Sequence, residues 1–153
     1  MKGIFNVRVY AIIINQANEV LLTDEHRFGT SFTKFPGGGL EYGEGLKDGL
    51  IREIREELNT EVCSMQHFYT TDFFQPSVFH ENQQIISVYY RVNLNNYSHI
   101  QTQDEPFCFQ QGAKEFAQEF RWKKITEFSP NDVSFPIDKY VANLIVAANT
   151  HRL

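Results

Sequence analysis

Residues 36–62, PGGGLEYGEGLKDGLIREIREELNTEV, constrain this chain more than any other stretch, because they join three consecutive glycines directly to an amphipathic helix rich in glutamate. Gly37, Gly38 and Gly39 make a regular strand or helix interior improbable there and allow backbone angles closed to other residues, so the spacing predicts a shaped loop. From about Gly45 the pattern turns helical: Leu46, Leu50, Ile54 and Leu58 recur every fourth residue, with Ile51 beside them, giving one apolar face. Asn59 is the expected stop, since after glycine it best tolerates the left-handed position that ends a helix.

The rest of the chain reads as scaffold for this unit. Val7 to Ile14 is a β-branched run that begins alternating and ends continuous, as expected of a strand covered on both faces. A polar turn at Asn15 to Asn18 leads to Glu19–Thr23, which reads as the returning strand of a hairpin. Asp24 to Ser31 is a polar loop carrying His26 and Arg27, and Thr33 to Phe35 is a short strand into Pro36. Beyond the helix, Val62–Phe74 and Ile85–Leu94 form a long hairpin across Gln75 to Gln84. Asn95 to Ala113 reads mainly as loop, Glu119 to Ile125 as a late strand, and Ile137 to Ala148 as a terminal helix beginning just after Pro136. Strands interleaved with one central and one terminal helix predict an α/β (α+β) fold, a mixed sheet sandwiched between helices.

Composition excludes several classes. A chain of 153 residues fits one domain, and 42% hydrophobic with 14% aromatic content is that of a packed globule. A formal net charge of −5 argues against binding nucleic acid by bulk electrostatics, so an acidic protein acting on phosphates needs local cations. Cys63 and Cys108 have neither metal-ligand spacing nor a framework count, which fits two reduced thiols in a cytoplasm. No run approaches the roughly 18 apolar residues of a membrane span, and Met1 to Asn6 is no signal peptide.

The chemistry lies on the central helix. At about 100° per residue, Glu53, Glu56 and Glu57 fall on one face, where three carboxylates repel one another. A hard divalent cation, Mg²⁺ or Mn²⁺, turns that repulsion into coordination by oxygen. The same wheel places Gly49 inside the carboxylate arc, as room for a metal or ligand, and Glu57 at the margin of the apolar face. The plainer alternative is a solvated surface laced by Arg52 and Arg55. The glycine loop directly before the helix shifts the balance, since a loop leading into a helix N-terminus is an anion site, and an anion beside a divalent cation points to a phosphorylated substrate.

The segment resembles the Nudix box, the signature of the Nudix hydrolases. Gly38, Glu44, Arg52, Glu53, Ile54, Glu56 and Glu57 all fall at the family's spacing, seven fixed positions over 23 residues. Asn59 stands in place of the closing glycine and Thr60 in place of the final aliphatic residue. Pro36-Gly37-Gly38 entering the box and Glu41 three residues before Glu44 also look like the family. The resemblance implies an α/β/α sandwich and hydrolysis of a diphosphate bond in a nucleoside diphosphate joined to another group, with a nucleoside triphosphate foremost and ADP-ribose, a nucleotide sugar or a non-catalytic sensor role as alternatives. It implies Glu53, Glu56 and Glu57 as metal ligands, with Glu53 also orienting or deprotonating the attacking water and Arg52 orienting Glu53. Glu44 starts the helix and fastens the loop, and the Gly37, Gly38 and Gly39 backbone holds metal and phosphates.

Outside the box, the family often supplies a further glutamate before a late strand containing tryptophan. Glu115 and Glu119 both precede Trp122; Glu115 is assigned, because Glu119 opens the predicted strand, with surface roles for both as the alternative. Arg8 and Arg27 resemble the family's phosphate-binding arginines, and Lys34 is a lesser candidate. His26, His67, His80 and His99 lack zinc spacing. Phe68, Tyr69, Phe73, Phe74 and Phe79 stack a base or fill a core. Pro76 resembles a marker of ADP-ribose hydrolysis but is explained equally by turn chemistry. A small-molecule nucleotide, no nucleic acid, no membrane, and a possible homodimer complete the expectation.

Overall fold

The structure, a computed structural model, describes residues 2–109 and 115–151. The chain divides into two compact units, one formed by Met1–Ile13 with Pro36–His99 and the other by Ile14–Phe35 with Ile100–Leu153.

The first unit contains β1 (Ile4–Ile13), then, further along the chain, β4 (Gly37–Gly39), α1 (Leu46–Leu58), β5 (Val62–Thr70) and β6 (Gln83–Leu94). Its four-stranded sheet has the order β4-β1-β6-β5. β1 runs parallel to β6 from Ile4 opposite Gln83 to Ile13 opposite Val92, and antiparallel to β4. β5 and β6 form the predicted hairpin, with register shifts between Val62 and Ser64 and between His67 and Tyr69. Val9 to Ile13 are all buried, as their continuous apolar run implies. Across the sheet, Tyr10 and Tyr89 lie with ring centroids 5.4 Å apart, and Tyr69 lies 6.4 Å from Tyr89.

The three glycines form the short strand β4 rather than an irregular loop. Arg8, Val9 and Tyr10 face Gly39, Gly38 and Gly37, and the ladder is extended by Ala11 N–H to Pro36 O (2.8 Å) and Leu40 N–H to Val7 O (2.9 Å). At Gly37 glycine is required because the strand there lies too close to β1 for a side chain. A Cβ on Gly37, at φ 139°, would come within 2.1 Å of Val9 O.

α1 buries Gly49, Leu50, Ile54 and Leu58 and packs against β1, β4 and β5. Its N-cap is Gly45, which provides no side-chain cap. Asn59 closes the helix at φ 50°, donating its N–H to Arg55 O. Thr60 is buried, and its hydroxyl donates to Asn96 O at 3.0 Å, so the polar atom at this normally aliphatic position is satisfied.

The second unit contains β2 (Glu19–Arg27), β3 (Thr30–Lys34), β7 (Phe116–Lys124) and α2 (Pro136–Thr150), with 3₁₀ turns at Ile125–Glu127 and Pro130–Asp132. Its sheet is antiparallel in the order β3-β2-β7. The mixed α+β class read from the sequence holds, with the strands divided between two sheets. The β1–β2 hairpin does not form. A ten-residue parallel ladder to β6 occupies one edge of β1 and β4 occupies the other, so only an isolated bridge, Ile14 to Val20, remains of that pairing. Asn15 closes the turn on its own side, its Oδ1 accepting Glu19 N–H at 2.9 Å.

Charges lie inside this second unit. Arg121 donates from Nε and Nη2 to the two carboxylate oxygens of Asp24 at 2.8 and 3.1 Å, and Thr33 Oγ1 donates to Asp24 Oδ1 at 2.6 Å. Lys34 Nζ lies 2.8 Å from Glu25 Oε2, with both side chains buried. Lys34 is therefore no solvated surface lysine. Phe32 against Phe135 and Phe35 against Phe128 help bind the sheet to the C-terminal segment.

The close approach at β4 gives a stability prediction. Gly37→Ala combines strained backbone with overpacking against Val9 and should destabilise the protein by about 2–6 kcal/mol. Gly29→Ala, at φ 74° with nothing within 4 Å, should cost only about 1–2 kcal/mol. Urea unfolding of the two variants measures the difference.

Candidate functional site

The site is built around the guanidinium of Arg52 on α1. Nε donates to Glu44 Oε2 (3.0 Å), Nη2 to Glu44 Oε1 (2.6 Å) and to Gly39 O (3.0 Å), and Nη1 to Glu53 Oε1 (3.1 Å) and Glu56 Oε2 (3.3 Å). These five bonds match the five N–H donors that an arginine owns. Arg52 thereby ties β4, the turn before the helix, and two of the helix carboxylates into one network. Its charged form is strongly favoured, first by the hydrogen bonds it donates to Glu44 and further by Glu53, against the opposing effect of burial.

Glu44 completes the fastening. Besides the two-pronged contact with Arg52, its Oε1 accepts Glu41 N–H at 2.8 Å. The Arg52 hydrogen bond, then the Glu41 N–H, lower its pKa from 4.5 to about 2. Charge-assisted, two-pronged pairing of this kind fixes geometry as well as charge.

Glu53 is half-buried under β4. A Cβ on Gly38 would lie 2.6 Å from Glu53 Oε1 and 2.9 Å from Oε2, so the missing side chain of Gly38 is what seats this carboxylate. Glu56 is the outer member, its side chain 59% exposed and joined to Arg52 one helical turn earlier. Glu57 is half-buried, consistent with its place at the margin of the apolar face. The space at Gly49 belongs to the protein itself: a Cβ there would meet Leu40 Cδ1 at 2.6 Å and Glu44 Oε1 at 2.9 Å, so it is not room for a metal or ligand.

Arg55 stands apart from this network. It forks onto Glu61 at 2.8–3.1 Å, well exposed, and each charge favours the ionised form of the other. A solvated salt-bridged surface therefore describes Arg55, whereas Arg52 is largely enclosed.

Among the described residues, no group of three or more His, Cys, Asp or Glu side chains is gathered as a ready-made ion cage. Two of the three box carboxylates are turned onto Arg52 instead. The donor set nevertheless fits a hard divalent cation, with three glutamates in just over one helical turn and a glycine cradle that would tolerate no side chain over Glu53.

The first unit thus brings together Gly37, Gly38, Gly39, Glu44, Arg52, Glu53, Glu56 and Glu57. Arg8 lies beside Gly39 on β1, its Nε donating to Tyr10 Oη and its Cζ 5.7 Å from that ring. Arg27 and Glu115 belong to the second unit. Arg27 lies with its Cζ 4.8 Å from the centroid of Phe116, and Glu115 is exposed immediately before β7. Glu119 is within β7, opposite Asp24, with a buried Oε2 that takes no hydrogen bond among the described residues. Sequence reasoning missed the Asp24–Arg121 and Glu25–Lys34 pairs. The available signal was charge placed inside period-two apolar strands.

A mixed α+β chain whose glycine strand seats a glutamate of the following helix is the class defined so far. The NUDIX domain model matches residues 4–144, and the chain belongs to the Nudix family. It is 39% identical over 56 residues to the NAD-capped RNA hydrolase NudC of Pseudomonas fluorescens strain Pf-5, covering 37% of this chain, and 36% identical over 56 residues to that of Pseudomonas putida strain W619. These matches span a fifth of the length of the curated relatives (20%). Among solved structures it is similar to MutT, studied from Aliivibrio salmonicida and Vibrio cholerae, with TM-score 0.65, 22% identity, and coverage of 94% of this chain and 98% of that one. It is also similar to the E. coli ORF135 protein, with TM-score 0.67, 20% identity, and coverage of 98% and 94%. At these identities the structural likenesses establish the fold.

The pH dependence of the fastening follows from Glu44. With its folded value lowered to about 2 from an ordinary 4.5, the carboxylate stabilises the fold fully above pH 4.5 and loses that contribution as pH falls through 2. Glu44→Gln should melt below wild type at pH 7, with the gap closing between pH 4.5 and 2. A gap that stays constant across that window contradicts the assignment.

Proposed function

We propose that this chain is a divalent-metal-dependent hydrolase of a diphosphate bond in a nucleoside diphosphate linked to another group, with nucleoside triphosphates as the foremost substrates. The observation that carries this reading is the five-donor Arg52, which holds Glu53 beneath Gly38 and beside two further glutamates. Glu53, Glu56 and Glu57 would hold Mg²⁺ or Mn²⁺, with the Gly37 backbone as an additional oxygen donor. A bound Mg²⁺ supplies neutralisation of phosphate charge and a more acidic water.

The protein's own residues supply the rest. Glu53 orients or deprotonates the attacking water, and Arg52 keeps its carboxylate at the β4 cradle so that it meets the water in one orientation. Glu44 and the Gly39 carbonyl fix Arg52 in turn. Backbone groups at Gly38 and Gly39, with the cation of Arg8, take the phosphates. Glu56, exposed and held only at the outer side of Arg52, is the carboxylate freest to turn from the guanidinium to a metal.

Glu53→Gln keeps the shape and removes the base. Mg²⁺-dependent turnover should fall roughly 10²- to 10⁴-fold, with thermal stability little changed. A panel of nucleoside triphosphates, ADP-ribose, nucleotide sugars, dinucleoside polyphosphates and an NAD-capped RNA, read by release of phosphate, pyrophosphate or mononucleotide, identifies the leaving group. Unchanged turnover in Glu53→Gln removes the role assigned to Glu53. Silence across the panel favours a ligand sensor over an enzyme.

A further inference from the structure

The outermost strand of a sheet turns a row of N–H and C=O groups away from its own ladder, and such an edge is a template for another strand unless it is short, charged or covered. Three of the edges in this protein are protected in one of those ways. β4 has three residues and β3 five. β7 carries Glu119, Arg121, Lys123 and Lys124, and on its outer side Gln103 N–H donates to Phe120 O at 2.8 Å.

β5 has none of these protections. It is nine residues long, it ends the four-stranded sheet of the first unit, and its sequence, VCSMQHFYT, contains no Asp, Glu, Lys, Arg or Pro. Cys63, Ser64, Gln66, His67 and Thr70 are exposed, and among the described residues no backbone hydrogen bond reaches its outer side. The register shifts against β6 lie toward the two ends and leave residues 64–67 as a regular central run.

Charge points to a second copy of the chain as the occupant. With a net charge of −5 two copies repel, yet β5 itself adds nothing to that repulsion. Turned about Gln66, the middle residue, the strand sets β-branched Val62 opposite β-branched Thr70 and opposes no like charges. The flanks are complementary as well. Arg55, beside the start of β5, uses Nε and Nη2 on Glu61, and its Nη1 has no partner among the described residues. Asp72, just past the end of β5, accepts Tyr69 Oη through Oδ1, and its Oδ2 has no partner among the described residues. Antiparallel pairing carries Arg55 of each copy toward Asp72 of the other, at both ends. Phe74, two residues further on, is 70% exposed, so the ends also have apolar surface to cover. We propose that β5 is a homodimer interface, at which two copies join their four-stranded sheets antiparallel across a two-fold axis near Gln66.

Sedimentation equilibrium of the full chain over about 1–100 µM should show twice the chain mass at the upper end, with a dissociation constant inside that range. Gln66→Lys sets two ammonium groups face to face at the axis and should raise the dissociation constant about fivefold or more. Arg55→Glu should raise it about tenfold, and adding Asp72→Arg should return it to within about threefold of wild type. Hydrogen exchange locates the contact, since amides of residues 62–70 should exchange faster on dilution below the dissociation constant. Circular dichroism checks that each variant folds, and if Gln66→Lys does not, the Arg55 and Asp72 variants carry the test. A wild type still monomeric at about 100 µM, its edge left to water or to a strand of a different protein, overturns the interface. So does a dimer whose dissociation constant is unaltered in folded Gln66→Lys and Arg55→Glu. The helix carboxylates take no part in this contact, so dimerisation and turnover can fail independently.

Discussion

The first unit depends on a single cation that spends every donor it has. Arg52 reaches Glu44, the Gly39 carbonyl, Glu53 and Glu56 from one position on α1, and each partner lies on a different piece of the chain: the turn, the glycine strand, the next residue and the next helical turn. A lysine would carry the charge but not the fork, and two pairings would lapse. The three helix carboxylates repel one another, and the guanidinium is the counterion that lets two of them coexist before any metal is bound. The organisation of the site is thus electrostatic first and steric second, with Gly38 supplying the space into which Glu53 is drawn.

Much of this was legible in the sequence, because helical periodicity and box spacing are local. The four-residue recurrence of Leu46, Leu50, Ile54 and Leu58 defined the helix, and Asn59 ended it in the left-handed conformation for which its side chain is suited. The β5–β6 hairpin and the C-terminal helix were equally local. What sequence could not supply was pairing at a distance. β1 and β2 look like a hairpin when read along the chain, yet β1 pairs with β6, some eighty residues later, because that parallel ladder offers ten residues of pairing. The glycines were misread as loop for a related reason: antiparallel pairing with Arg8, Val9 and Tyr10 makes a strand of them, and nothing within Gly37 to Gly39 names that neighbour.

The same limit explains the charges. Asp24 and Glu25, which read as the start of a polar loop, lie instead on β2, paired with Arg121 and Lys34 inside the second unit. Buried pairs of this kind give little net stability but are costly to break, since removing one partner strands the other. Gly49 shows the reverse error. The helical wheel assigned its empty side to a ligand, and Leu40 and Glu44 fill it. A wheel reports direction, and only the folded chain reports occupancy.

The central claim is that the three helix carboxylates, two of them held by Arg52 and Glu57 beside them, form a divalent-cation site. Titration of Mn²⁺ followed by electron paramagnetic resonance tests it most directly, because free and bound ion are distinguished without turnover. The account predicts a bound Mn²⁺ displaced by Mg²⁺, with affinity lowered about tenfold or more in Glu57→Gln by loss of one charged ligand. Binding of the same strength in wild type and Glu57→Gln, or no displacement by Mg²⁺, would contradict it.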